Sequence, residues 1–240
     1  MLSYQHGYHA GGPADVHKHR ALAGVLSLLT QKARPITYME THAGRGLYDL
    51  TGEQATKTGE WRAGIGQATR DEHPYWMALD RVREHFGPDS YPGSPLVAQA
   101  LLRDQDRCVL MELHPAEHAA LAEAIDAEVH RRDGFEGVLA LSPPKPRRGL
   151  VLVDPSYEVK TEYMAVVDFA KALLTKWPEA AVMVWYPILP DVRHKPMVEA
   201  LNGLVSETRF PPHKGRGMEG SGVAILNAPY GVEAVLGDRT

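Results

Sequence analysis

Short apolar runs, each closed by a turn and separated from the next by a helical stretch, recur along this chain and restrict it to an α/β fold. Ile36–Glu40 reads as a strand ending in the turn Thr41-His42-Ala43-Gly44-Arg45-Gly46, and Arg107–Glu112 as a second strand. A short third is expected around Glu128–Arg131, a fourth at Leu150–Val153 ending at Asp154, and a fifth at Ala181–Tyr186. Helical patterns cover Pro13–Gln31, the stretch beginning near Ser94, Pro115–Glu128 and Thr161–Lys176. In the first of these, Pro13 suits the opening helical position, and Val16, Leu22, Val25, Leu26 and Leu29 form an apolar stripe. Strands alternating with helices favour a mostly parallel, doubly wound sheet. Val205–Phe210 and Val223–Asn227 are expected to close it as an antiparallel pair across a Gly-rich loop. The segment 52–91 fits the alternation poorly. It is rich in helix formers and aromatics (Trp61, Tyr75, Trp76, Phe86), shows no clear strand, and is predicted to be a small helical insertion subdomain within one domain spanning residues 1–240.

Composition narrows the function. With 44% hydrophobic and 23% charged residues, the 240-residue chain has enough apolar material for a substantial core. A net charge of −4 argues against a protein that coats nucleic acid nonspecifically. Four basic clusters remain, at Lys18–Arg20, Lys145–Arg148, Arg193–Lys195 and His213–Arg216. They bind phosphates if they share a face and are solvated loops otherwise. The longest apolar runs, Leu150–Val153 and Ala180–Trp185, are too short to cross a bilayer, and the first residues show no basic segment followed by an apolar one. A lone Cys108 in a strand-like run reads as a core side chain. The expectation is a cytoplasmic monomer without membrane or metal partners. The 12 histidines include no His-Glu-x-x-His pair, and neither a Gly-x-Ser-x-Gly elbow nor a phosphate-loop Gly-Lys-Ser/Thr occurs.

The residues at the strand ends carry the chemistry. Glu40 and the Gly44-Arg45-Gly46 bend suit close approach to a ligand at the crevice where doubly wound folds bind nucleotides, and equally suit a plain turn. Glu112 is placed to accept hydrogen bonds from both hydroxyls of a ribose, or to favour the dipole of the helix that follows. Asp133-Gly134 would reach an adenine amino group or simply turn the chain. Asp154-Pro155-Ser156-Tyr157, after four apolar residues, is the strongest signal. An aromatic amino nitrogen is a poor nucleophile because its lone pair is delocalised into the ring. A carboxylate (Asp154) and a backbone carbonyl (Pro155) accepting its two N–H bonds would draw it toward tetrahedral geometry, while Tyr157 offers a face on which the extruded base stacks. A strand-ending turn is the alternative.

Ordered blocks then point to one family. Met1-Leu2-Ser3-Tyr4, His9-Ala10-Gly11, Ala14-Asp15-Val16, Lys18-His19, Thr41-His42-Ala43-Gly44 and Tyr91-Pro92-Gly93-Ser94-Pro95-Leu96 come first. Glu112-Leu113-His114-Pro115, Asp133-Gly134-Phe135, Arg148-Gly149-Leu150, Asp154-Pro155-Ser156-Tyr157-Glu158, Trp185-Tyr186-Pro187 and Arg216-Gly217-Met218 follow. In this order they resemble the RlmJ family of 23S rRNA adenine-N6-methyltransferases across nearly the whole chain. The resemblance implies a Rossmann-like class I methyltransferase fold with a mostly parallel seven-stranded sheet, and S-adenosylmethionine (SAM) as cofactor. It also implies 23S rRNA as partner and direct in-line methyl transfer to the N6 of one adenine. By the same resemblance His19, His42, Ser94, Glu112, Asp133, Gly134 and Asp154 contact the cofactor, Asp154 also faces the target amine, and Tyr4 contacts RNA. Lys18 is a further candidate for cofactor or substrate. Ser156 departs from the family's two consecutive prolines, which is expected to loosen the loop and spare activity. Two rival readings are methylation of adenine in DNA, where the acid-proline-aromatic motif also occurs, and a noncatalytic RNA-binding module on the same fold.

Overall fold

The computed structural model describes residues 5–211 and 217–236. In chain order these carry α1 (Pro13–Thr30), β1 (Thr37–Glu40), β2 (Leu47–Asp49), α2 (Glu53–Thr58), α3 (Pro74–Phe86), β3 (Ser90–Pro92) and α4 (Ser94–Leu101). β4 (Arg107–Met111), α5 (Pro115–Ala124), β5 (Glu128–His130), α6 (Gly134–Leu141) and β6 (Gly149–Val153) come next. The chain continues through α7 (Glu162–Lys176), β7 (Ala181–Ile188), α8 (His194–Leu201), β8 (Leu204–Arg209), β9 (Gly220–Leu226) and α9 (Val232–Leu236).

Seven strands form one sheet in the order β5-β4-β1-β6-β7-β9-β8. The first five run parallel, and β9 is antiparallel to both β7 and β8. β6 and β7 are buried at every position, as strands covered on both faces must be. Their Leu150–Val153 and Ala181–Ile188 side chains form the centre of the core with Leu22, Leu26, Tyr38 and Met39. The chain leaves β1 for β4 on one side and returns to β6 on the other. This places a topological switch point beside the carboxyl end of β1, where open α/β sheets take ligands.

The expected closing pair is present, with Arg209 opposite Gly220 and Leu204 opposite Ile225. The segment 52–91 carries α2, a 3-10 turn at Glu60–Arg62, and α3. It also carries a strand that the sequence pattern did not show. β3 pairs antiparallel with β2, setting Tyr91 opposite Tyr48, and three residues are too few for a period to register. α5 stops at Ala124, four residues short of expectation, because Ile125 turns extended and buries its side chain on the way into β5. No helix among the described residues is long and apolar enough to cross a membrane.

Candidate active site

Register alone builds the site. Glu40 on β1 pairs in level with Leu110 on β4 and with Leu152 on β6. Just past the ends of these three adjacent strands come His42, Glu112 and Asp154, so one edge of the sheet gathers an imidazole and two carboxylates. Neighbouring strands lie ~4.8 Å apart, which puts the Glu112 and Asp154 backbones about 10 Å apart on either side of the glycine turn.

Glu112 braces that turn. Its carboxylate accepts Gly44 N at 2.8 Å and His114 N at 2.7 Å, and burial pushes its pKa up. Gly44 and Gly46 have φ of 63° and 76°, and a Cβ at Gly46 would stand 2.8 Å from Leu121 Cδ1, so the bend accepts glycine only. His42 holds Thr41 Oγ1 at 2.8 Å and sets its ring edge-on to Phe135; burial lowers its pKa against the charges of Asp154 and Asp133. Asp133 is the N-cap of α6, accepting Glu136 N at 2.9 Å. Gly134 is there for a close approach: a Cβ would lie 1.8 Å from the carbonyl oxygen of Thr41. The pair brings the start of α6 against the β1 turn, so Asp133 belongs to the same edge as Glu112.

Asp154 is held by an ion pair. Lys18 Nζ stands 2.7 Å from Asp154 Oδ2 and 3.2 Å from Asp15 Oδ1, and the Lys18 and Asp154 side chains are 5% and 12% exposed. Lys18 also lies over the Trp185 ring at 5.4 Å. Breaking so buried a pair by removing one partner costs ~3–5 kcal/mol. Lys18 and His19 are buried and so do not form a phosphate-binding surface, and Arg20 pairs with Asp71 at 2.7 Å.

Glu40 lies behind this edge, fully buried. Tyr38 donates to it at 2.8 Å and the Ser94 hydroxyl donates to its other oxygen. Burial, reinforced by the Asp154 charge, pushes it up to about 8 against the pull of those two hydrogen bonds. The carboxyl is therefore mostly protonated at neutral pH, so Asp154 does not face a second full charge across the strand end. His19 accepts from or donates to Tyr91 at 3.1 Å through Nδ1, while its buried Nε2 has no hydrogen-bond partner. Burial lowers its pKa to about 3, keeping the ring neutral.

Tyr157, the expected stacking platform, is packed inward. Its ring is 5% exposed, packs on Tyr163 with centroids 4.5 Å apart, and its hydroxyl donates to Trp185 O at 2.8 Å. A φ of 55° is strained for an aromatic residue and turns the ring inward. A base would meet this face only after the ring had turned out. The basic clusters do not share a face either. Lys145–Arg148 precedes β6 and lies at the amino end of the sheet, where Arg147 pairs with Glu179 at 2.7 Å. Arg193–Lys195 follows β7 at the carboxyl end. Tyr4 and His213–Arg216 lie outside the described residues. Among the described residues no group of three or more His, Cys, Asp or Glu side chains is placed to hold a metal ion. Sequence reasoning missed Asp15, whose signal is its spacing on α1: Lys18 and His19 stand at i+3 and i+4, on the same helix face.

This geometry agrees with what similar proteins are. The family model described as "Ribosomal RNA large subunit methyltransferase D, RlmJ" matches residues 33–239. Ribosomal RNA large subunit methyltransferase J of Escherichia coli is 37% identical over 97% of this chain and 89% of its own length. The protein of that name from Haemophilus influenzae is 34% identical over 98% and 90%. A solved structure from Legionella pneumophila superposes with a TM-score of 0.83 at 32% identity, covering 95% of this chain and 90% of that one. The chain, with its seven-stranded methyltransferase sheet, belongs to the RlmJ family of ribosomal RNA large subunit methyltransferases.

Proposed function

We propose that the chain transfers a methyl group from SAM to the N6 amino group of an adenine in large-subunit (23S) rRNA, acting as a cytoplasmic monomer that needs no metal. The reading rests on one observation above the rest: Glu112 and Asp154 directly follow the strands on either side of β1, with the glycine turn between them. The residues present fit the cofactor. His19 Nε2 is a buried polar atom without a hydrogen-bond partner, the Gly44–Gly46 bend leaves backbone open to close approach, and Glu112 has lone pairs left for ribose hydroxyls. Glu112, His42, Ser94, His19 and Asp133-Gly134 would hold the cofactor, whose sulfonium supplies an electrophilic methyl group.

The chain's own part is to make the nitrogen nucleophilic. Asp154 and the Pro155 carbonyl accept the two amino N–H bonds and draw the lone pair out of the ring toward the methyl donor. Lys18 must first give up its place on Asp154. The N–H proton leaves the nitrogen as the new bond forms, and Asp154 is the carboxylate nearest to it. Tyr157 stacks on the base once turned out of its packed position, and Ser156 beside it gives the loop that freedom. Tyr4 and the segment 52–91, taken as a helical insertion subdomain, extend the contact with RNA.

The test is a transcript of large-subunit rRNA incubated with the protein and methyl-labelled SAM, with duplex DNA as the parallel arm. The expected result is label as N6-methyladenine at one position in the RNA. Label in the DNA alone, or on another base, contradicts the reading.

A further inference from the structure

The resting site contains an obstacle. One of the two Asp154 oxygens that could meet a target amine, Oδ2, is already engaged by Lys18 at 2.7 Å. Lys18 is 4% exposed, so its ammonium cannot retreat into water, and a buried charge without a counter-ion is expensive. A second carboxylate stands within reach of the same nitrogen: Asp15 Oδ1, at 3.2 Å. Asp15 is itself buried and divides its two oxygens between two tasks. Oδ2 accepts Gly11 N at 3.1 Å and holds His6 Nε2 at 2.9 Å, tying the residues before α1 to the helix. Oδ1 faces Lys18 and, at 4.0 Å, His19 Nε2. Burial alone would push this carboxyl up, but the neighbouring His6 and Lys18 outweigh it and hold it well below the usual carboxylate range, so it stays ionised.

From this arrangement we infer that Asp15 is the positioning residue that frees Asp154 for the substrate: it takes over the Lys18 ammonium when a base amine arrives, and returns it when the product leaves. The inference rests on the proposed amine methylation and deepens it. Nothing covalent happens at Asp15. The ammonium shortens one contact and lengthens the other, and the cluster keeps its total charge. Without the Asp15 charge, Lys18 has Asp154 as its one carboxylate counter-ion in this triad, and the amine must compete with an undivided ion pair.

The experiment compares Asp15→Asn, which keeps the shape and removes the charge, with Asp15→Glu, which keeps the charge and strains the packing. Single-turnover methylation of the rRNA transcript at saturating SAM is read beside SAM affinity by calorimetry. The expected result is a loss of tenfold or more for Asp15→Asn with SAM affinity within twofold of wild type, and a faster rate for Asp15→Glu than for Asp15→Asn. A role in packing alone predicts the reverse order, because the longer side chain has no room. A loss below fivefold for Asp15→Asn, or Asp15→Glu no faster than Asp15→Asn, overturns the inference. Should Asp15→Asn fail to fold, Asp15→Ser serves as the uncharged member on the same criteria. Absence of methylation by the wild type would overturn the functional reading and this inference with it, whereas wild-type activity with an unaffected Asp15→Asn overturns this inference alone.

Discussion

The two halves of the sheet bury polar groups for different ends. In the parallel half, β5-β4-β1-β6, the strands lead into ionisable side chains: Glu112 accepts two backbone N–H groups, and Asp154 pairs with Lys18. In the antiparallel half, β7-β9-β8, the polar atoms close on one another. Trp185 donates to Ser221 Oγ at 2.8 Å, His17 holds the same hydroxyl at 2.9 Å, and Tyr186 donates to Glu207 at 2.9 Å. One half gathers its groups at an edge; the other consumes them in building a wall. Parallel strands make the first arrangement possible, since their carboxyl ends all lie on one edge, whereas antiparallel pairing sends alternate ends to opposite edges.

Paired glycine substitutions break the comparison most sharply. A Cβ at Gly134 would meet backbone, the Thr41 carbonyl, at 1.8 Å, and one at Gly222 would meet the Tyr186 ring at 2.2 Å. Each alanine is expected to cost on the order of 3 kcal/mol in urea denaturation. Only Gly134→Ala should also weaken SAM binding tenfold or more, because only there does the displaced backbone belong to the ligand edge. Equal loss of SAM affinity in both variants would erase the distinction.

A buried acid on the parallel half and a partly buried base packed on the antiparallel half titrate in opposite directions. Glu40 has its pKa raised from 4.5 to about 8, so the protein binds a proton there that the unfolded chain has released. Its contribution to stability is complete below the unfolded value and is lost as pH rises from about 4.5 through about 8. Glu40→Gln should flatten that decline, worth on the order of 3 kcal/mol across the window. An unchanged slope of stability against pH would place the proton elsewhere. His17, against Ser206 and Ser221, is lowered by burial from 6.5 to about 4. Its contribution is complete above 6.5 and is lost as pH falls toward 4. His17→Asn should remove about 2 kcal/mol of the acid-side loss, with the His19 share remaining. A Tm that falls as steeply in acid for the variant as for the wild type would contradict the assignment.

The legible parts of this molecule were those written locally. Glu112 and Asp154 each close an apolar strand, so a strand-end carboxylate was visible in each case before any register was known. Their meeting around the turn that follows β1 was not visible, because pairing in a parallel sheet is settled by residues far apart in the chain. The inward packing of Tyr157 was hidden for a related reason: motif position says that an aromatic is present, but its φ and its packing on Tyr163 and Trp185 come from tertiary contacts. Asp15 went unnoticed because an acid in the first turn of a helix is ordinary capping chemistry until Lys18 is seen to reach Asp154. β2 and β3 were hidden by their length. The helices α6, α8 and α9 were passed over as well, being at most eight residues long and lying near turn-forming residues.

Asp154→Asn tests the central claim most directly, since the substitution preserves shape while removing the carboxylate that draws out the amine lone pair. Measured as single-turnover methyl transfer to large-subunit rRNA at saturating SAM, the rate should fall by about 10³, with SAM affinity within a few-fold of wild type. A variant that binds SAM and transfers the methyl group at the wild-type rate would contradict the account.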